Sequence, residues 1–208
     1  MNTNQNDVGK GLWLQWVLAS FLGFAVDGIV GGFAMFAFQG EFWILGLALF
    51  GPIFGVVGGI VQWFVLRRYV ARSGGWVLAT AVGYTLATVA AALIFSFPYS
   101  DPAVAGMVAF GTVAGVAGGI LQWLVLRQQV ARAGWWVLAS ILGLVVGMGI
   151  GGPVARSLGQ AGRVIEPTIV FGFLFGVGVG GIPGAVLVWL LRQSKSGSTT
   201  TTAIPGVR

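Results

Sequence analysis

The chain has 208 residues, 57% of them hydrophobic and only 8% charged, where a water-soluble domain carries about a quarter charged. So few charges cannot make an ordinary water-facing surface. Cys and His are both absent, which excludes disulfides, thiolate or imidazole metal sites, and cysteine or histidine catalysis.

Runs of 18 or more residues without a charge recur along the chain and read as transmembrane helices. The 36 glycines would weaken helices in water. In lipid they let helix backbones approach closely. The net charge of +6 is read as basic loops that set orientation, not as a nucleic-acid surface. No nucleic-acid partner, cofactor or metal is expected.

Residues 1–10 form a polar N-terminal segment. The apolar run 12–38 follows Lys10. It is too long for a signal core, and it shares a motif with later segments. Trp16-Val17-Leu18-Ala19-Ser20 returns as Trp76-Val77-Leu78-Ala79-Thr80 and as Trp136-Val137-Leu138-Ala139-Ser140, with Gly23, Gly83 and Gly143 at one offset. It is therefore read as span 1.

A polar turn at 39–41 precedes span 2, residues 43–66, which ends at Arg67-Arg68. A basic loop, 67–75, leads to span 3, residues 76–97. Pro98, Ser100, Asp101 and Pro102 predict a turn. Span 4 covers 103–126, a basic turn 127–133, and span 5 covers 135–155. The longest internal loop is expected at 156–167, then span 6 at 168–191. The low-complexity stretch 193–208 reads as a disordered tail.

Residues 51–83 and 111–143 are near copies. The expected fold is all-α and polytopic. It has six transmembrane helices in one domain, 11–192, as three parallel two-helix repeats of about sixty residues (11–70, 71–130 and 131–192) in a pseudo-threefold bundle. The third repeat diverges: Pro183 falls where Gln122 would be, and Arg192 arrives a helical turn late.

Lys10, Arg67, Arg68, Arg72, Arg127, Arg132, Arg192, Lys195 and Arg208 fall on one side of this arrangement. Only Arg156 and Arg163 fall on the other, beside Glu41, Asp101 and Glu166. That bias predicts an inner (plasma) membrane protein with both termini cytoplasmic.

Three polar or glycine motifs interrupt the apolar spans. Gly51, Gly55 and Gly59 are spaced by four, as are Gly111, Gly115 and Gly119, and Gly172, Gly176 and Gly180. Each set lies on one helix face. Close helix packing is the expected role, and a backbone-lined lipid groove or pore the functional alternative.

Gln62-Trp63 and Gln122-Trp123 each stand five residues before an Arg, about 7 Å from the helix end. The expected role is interfacial anchoring. The alternative turns both glutamines inward, toward the glycine face.

Asp27 lies near the middle of span 1, and the equivalent positions are Ala87 and Gly147. A carboxylate at that depth costs several kcal/mol and marks a functional-site candidate. With no Lys, Arg or His at the same depth in any span, it is expected protonated, hydrogen-bonded or beside water, Thr85 and Thr88 being candidate partners. No second carboxylate, phosphate-binding loop or nucleophile–base pair is present.

The pattern GGxxQWxVLR…WVLAS resembles bacterial multipass membrane proteins. The plan of three two-span units resembles mitochondrial carriers in number alone, since their signature Pro and charged motifs are missing. The expected role is a non-enzymatic structural or assembly subunit whose partners are the lipid bilayer and other membrane subunits. The alternative is a transporter or channel for a small solute, ion or proton, with Asp27 as the embedded polar group.

Overall fold

A backbone crossing lipid must satisfy its own N–H and C=O groups, so long apolar runs coil into helices. A computed structural model of the chain describes residues 7–37, 43–95, 102–160 and 165–196. Among these, six helices are long and apolar enough to cross a membrane, the mark of a multi-pass membrane protein.

Helix α1 is Leu12–Ala37 and follows a π-helical turn, Asp7–Gly11. Helix α2 is Trp43–Leu66 and α3 is Trp76–Phe95. Helix α4 comes in three pieces: Pro102–Val113, a π-helical turn Ala114–Gly118, and Gly119–Leu126. Helix α5 is Trp135–Gln160 and α6 is Ile165–Ser196.

Several boundaries differ from expectation. Residues 7–9, read as part of a polar leader, are helical. The loop expected at 156–167 is much shorter, because α5 runs on to Gln160 and α6 starts at Ile165. Pro167 falls in the first turn of α6, where a backbone N–H has no intrahelical acceptor to lose. Pro102 likewise opens α4 rather than closing the preceding turn. The tail expected from residue 193 is helical as far as Ser196, and the rest lies outside the described residues. So do Gln39, Gly40, Glu41, Pro98, Ser100, Asp101 and Arg163.

Each helix packs on its neighbours in the chain, and α6 closes back onto α1, giving a ring in the order α1 to α6. Side chains sort by face. Leu14, Leu18 and Leu22 of α1, Leu78 and Leu86 of α3, and Leu138 and Leu142 of α5 are exposed at helical spacing, as a lipid-facing wall requires. Ser20, Asp27, Gln62, Thr80, Gln122 and Ser140 are buried. Apolar residues outside and polar ones within is the reverse of a soluble bundle.

Two kinds of glycine contact hold the ring. Between hairpins, a methyl placed on Gly55 would lie 2.5 Å from the Ala81 Cα, one on Gly115 3.0 Å from the Ile141 Cα, and one on Gly176 2.7 Å from the Phe21 Cα. Gly59, Gly119 and Gly180 stand a turn further on, against Val77, Val137 and Val17. Within hairpins, Gly23 abuts Gly58, Gly83 abuts Gly118, and Gly178 abuts Gly147 and Gly143. Without a hydrophobic drive between helices in lipid, such close backbone approach supplies the dispersion energy of association.

Inside the ring lie two apolar layers. One gathers Trp16, Trp76 and Trp136 with Leu66, Leu126 and Leu187. The other gathers Phe24, Phe54, Tyr84, Phe110 and Phe175.

Substitution of Gly55 or Gly115 by Ala is expected to cost about 1–3 kcal/mol, because the facing backbone cannot move aside. Gly149 faces open space, so Gly149→Ala should be neutral or stabilise by up to about 1 kcal/mol through helix propensity. Thermal unfolding of the purified protein in detergent checks the contrast.

Candidate functional site

The three WVLAS tryptophans meet inside the ring. Trp16 and Trp76 have ring centroids 5.7 Å apart at 79°, Trp16 and Trp136 5.8 Å at 88°, and Trp76 and Trp136 5.3 Å at 67°. Each edge points at a neighbouring face, the arrangement that ring quadrupoles favour. All three are at most 2% exposed.

A buried indole N–H needs an acceptor, and here the glutamines enter. Trp76 Nε1 donates to Gln62 Oε1 at 3.2 Å, and Trp136 Nε1 donates to Gln122 Oε1 at 2.9 Å. The same amides reach the other way: Gln62 Nε2 donates to Ser20 Oγ at 3.1 Å, and Gln122 Nε2 to Thr80 Oγ1 at 3.0 Å. The hydroxyls of Thr80 and Ser140 donate back to the carbonyls of Trp76 and Trp136. Each glutamine therefore ties three helices, its own, the preceding odd helix and the following one.

This corrects the anchoring role expected for the glutamines. The two halves of the motif part company at the helix end. Gln62 and Gln122 are 3% and 8% exposed and spend their polarity inward. Arg67 lies 5.0 Å from the Trp63 ring centroid, and Arg127 5.0 Å from that of Trp123, so rim anchoring falls to the Trp–Arg pairs. Helix geometry explains the split, since adjacent residues point about 100° apart.

The third tryptophan lacks its brace. Trp16 Nε1 has no hydrogen-bond partner among the described residues. On α6, the residue that packs where a glutamine would stand is Pro183, whose ring lies against Gly143.

Asp27 sits deeper, in the aromatic layer, and is fully buried. A methyl on Gly58 would come within 2.9 Å of Asp27 Oδ2 and 3.1 Å of Phe24 Cε1, so the missing side chain at 58 is what admits the carboxyl. Both carboxyl oxygens are without a hydrogen-bond partner among the described residues.

Thr85 and Thr88, the expected partners, do not reach it. Thr85 Oγ1 donates to the Ala81 carbonyl at 2.7 Å, and Thr88 Oγ1 to that of Thr85 at 2.8 Å. Helical threonines turn to their own backbone when no better acceptor is near.

The structure thus brings Gln62 and Gln122 together and sets Asp27 apart from them. Two further features border the region. A cavity of about 20 Å³ touches both glutamines, Trp16, Ser140 and Pro183. An apolar crevice of about 330 Å³ opens between α4 and α5, with Met107, Gly111, Met148 and Arg156 among its walls. Among the described residues, no cluster of three acidic side chains could hold a metal.

Sequence reasoning missed the tryptophans as hydrogen-bond donors. The signal was available, because Gln62 and Trp76 are fourteen residues apart, and so are Gln122 and Trp136. No family model, curated protein or solved structure matches this chain.

Gln122→Leu is expected to destabilise by about 1–3 kcal/mol, because it strands the Trp136 N–H inside the ring. Combined with Trp136→Phe, the losses should fall short of additive by about 1 kcal/mol. Gln128→Leu, on the exposed loop, should lie within about 0.5 kcal/mol of the parent. Unfolding midpoints of the four variants test this.

Proposed function

We propose that this chain is a non-enzymatic structural or assembly subunit of a membrane complex, built as three parallel two-helix repeats about a pseudo-threefold axis. The observation that carries the reading is the tryptophan triad. Three indoles at sixty-residue intervals fill the middle of the ring, and Gln62 and Gln122 are bonded to the Trp76 and Trp136 indoles and to the Ser20 and Thr80 hydroxyls. A solute path would need those groups turned toward a wet passage.

Equivalence supports the repeat. The glycine contacts recur three times, and the Gln–Trp brace twice. The outward surface is broad and apolar, with Trp13, Trp135 and Trp189 exposed on it. Lipid and neighbouring membrane subunits are the partners such a wall would meet.

The inner membrane, with both termini in the cytoplasm, is the proposed setting. Its support is that the basic loops and the first and last described helical turns, near Gly9 and Ser194, gather at one end of the ring. Arg68 Nη1 donates to Gln15 Oε1 at 3.5 Å, the Ala131 N–H donates to Ser194 Oγ at 3.3 Å, and Gly9 lies against Arg192.

On this reading the protein co-purifies with a partner after mild extraction, and native mass spectrometry of the extract gives a mass above that of the chain alone. A monodisperse, partner-free protein under the same conditions contradicts it.

One observation favours a second reading, a transporter or channel using Asp27. An unpartnered buried carboxyl that only one repeat carries is not required by the shared packing. If it is kept for function against stability, Asp27→Ala, the residue type at the equivalent position 87, should stabilise the fold by about 1 kcal/mol or more. Asp27→Asn should then abolish flux in reconstituted vesicles. A loss of stability in Asp27→Ala identifies the acid as a packing element instead.

A further inference from the structure

Three departures from regularity converge on one spot. Trp16 Nε1 is a donor without an acceptor in a residue that is 0% exposed. Pro183 has no N–H, so the Val179 carbonyl four residues earlier loses its ordinary helical donor. The π-helical turn Ala114–Gly118 is the one interruption within α4, and such turns recur where a helix makes room for something. Trp16, Val179, Pro183, Ala114 and Gly118 all line the same cavity, of about 20 Å³.

The remaining lining supplies the chemistry. Gln122 and Gln62 each use one amide hydrogen on a hydroxyl and keep a second. Ser140 donates its proton to the Trp136 carbonyl and keeps lone pairs free. The wall therefore mixes donors and acceptors and carries no full charge. A metal ion or small anion would be buried there without a counter-charge, which is expensive. A molecule that both donates and accepts fits, and the volume is enough for one water.

We propose that one water is bound in this cavity as the third brace. It accepts from Trp16 Nε1–H and donates to the Val179 carbonyl and Ser140 Oγ, taking the part that Gln62 and Gln122 take for Trp76 and Trp136. Pro183 creates the site twice over, by omitting a glutamine and by freeing a carbonyl. The proposal does not depend on the assembly role, since a transporter with the same axis would hold the same water.

The test is NMR of the full-length protein in detergent micelles with ¹⁵N-labelled tryptophan, the Trp16 indole being assigned from Trp16→Phe. The Trp16 indole proton should show cross-relaxation with water, and that of Trp76, which does not line the cavity, should not. Pro183→Gln, which supplies the missing amide, should abolish the Trp16 cross-peak and raise the unfolding midpoint by about 2–4 °C. Pro183→Ala returns a helical donor to the Val179 carbonyl, whose second lone pair still accepts from the water, and leaves the gap unfilled, so the cross-peak should weaken but persist there. That variant keeps the test alive if Pro183→Gln does not fold. A Trp16 indole with no water contact in the parent protein, its loss in Pro183→Ala, or its persistence in folded Pro183→Gln overturns the proposal.

Discussion

The contact between Trp16, Trp76 and Trp136 sets the terms for everything around it. Three indoles can meet edge to face only if α1, α3 and α5 all approach the same point, and that requires α6 to return to α1. Each pair contributes about 0.5–1.5 kcal/mol beyond its buried area. The larger effect is on register. An indole N–H buried among apolar neighbours must find an acceptor, and the acceptor at hand is a glutamine on the helix before it. Sliding α2 past α3 by a single residue would rotate Gln62 away from Trp76 and leave both unsatisfied. Gly55 and Gly59 let the helices approach closely, and the hydrogen bonds decide at what height they do so.

The departures from equivalence are as informative as the repeats. The third hairpin keeps its glycine ladder, against Phe21, Val17 and Trp16, but exchanges the glutamine for Pro183. Among the described residues only the first hairpin buries an acid, Asp27, seated where Gly58 leaves space. The aromatic layer is uneven too: Phe54 and Phe175 occupy places where α4 has Ala114. Asp27 and the region around Pro183 lie at different depths, with Tyr84 between them.

Much of this was legible in the sequence, because membrane spans announce themselves by length and lack of charge. The limits of α2 follow directly from the apolar run between Trp43 and Leu66, and the four-residue glycine spacing identified the packing faces of α2, α4 and α6. What stayed hidden was set by tertiary contact. Gln62 near a helix end, followed by Trp and Arg, reads as an interfacial cluster, and only the position of α3 shows that its amide is turned inward. Residues 156–160 look like a loop because of Arg156, yet the helix continues through them. The π turn in α4 leaves no local mark, since Ala114–Gly118 suits any helix. The isolation of Asp27 from Thr85 and Thr88 depends on which way those hydroxyls rotate, which periodicity does not report.

Ring closure is the claim on which the triad and its braces stand. The chain contains no cysteine, so a pair can be introduced without background. A methyl on Gly172 would lie 3.1 Å from the Ala25 Cα, which brings the two Cα atoms to the short end of the separations that disulfides bridge. Oxidation of the Ala25→Cys, Gly172→Cys double variant in native membranes should give an intramolecular cross-link joining the first and last helices. Failure of that link to form, or its appearance only between chains, while a Gly115→Cys, Ile141→Cys pair across α4 and α5 does close, would mean that α6 does not return to α1.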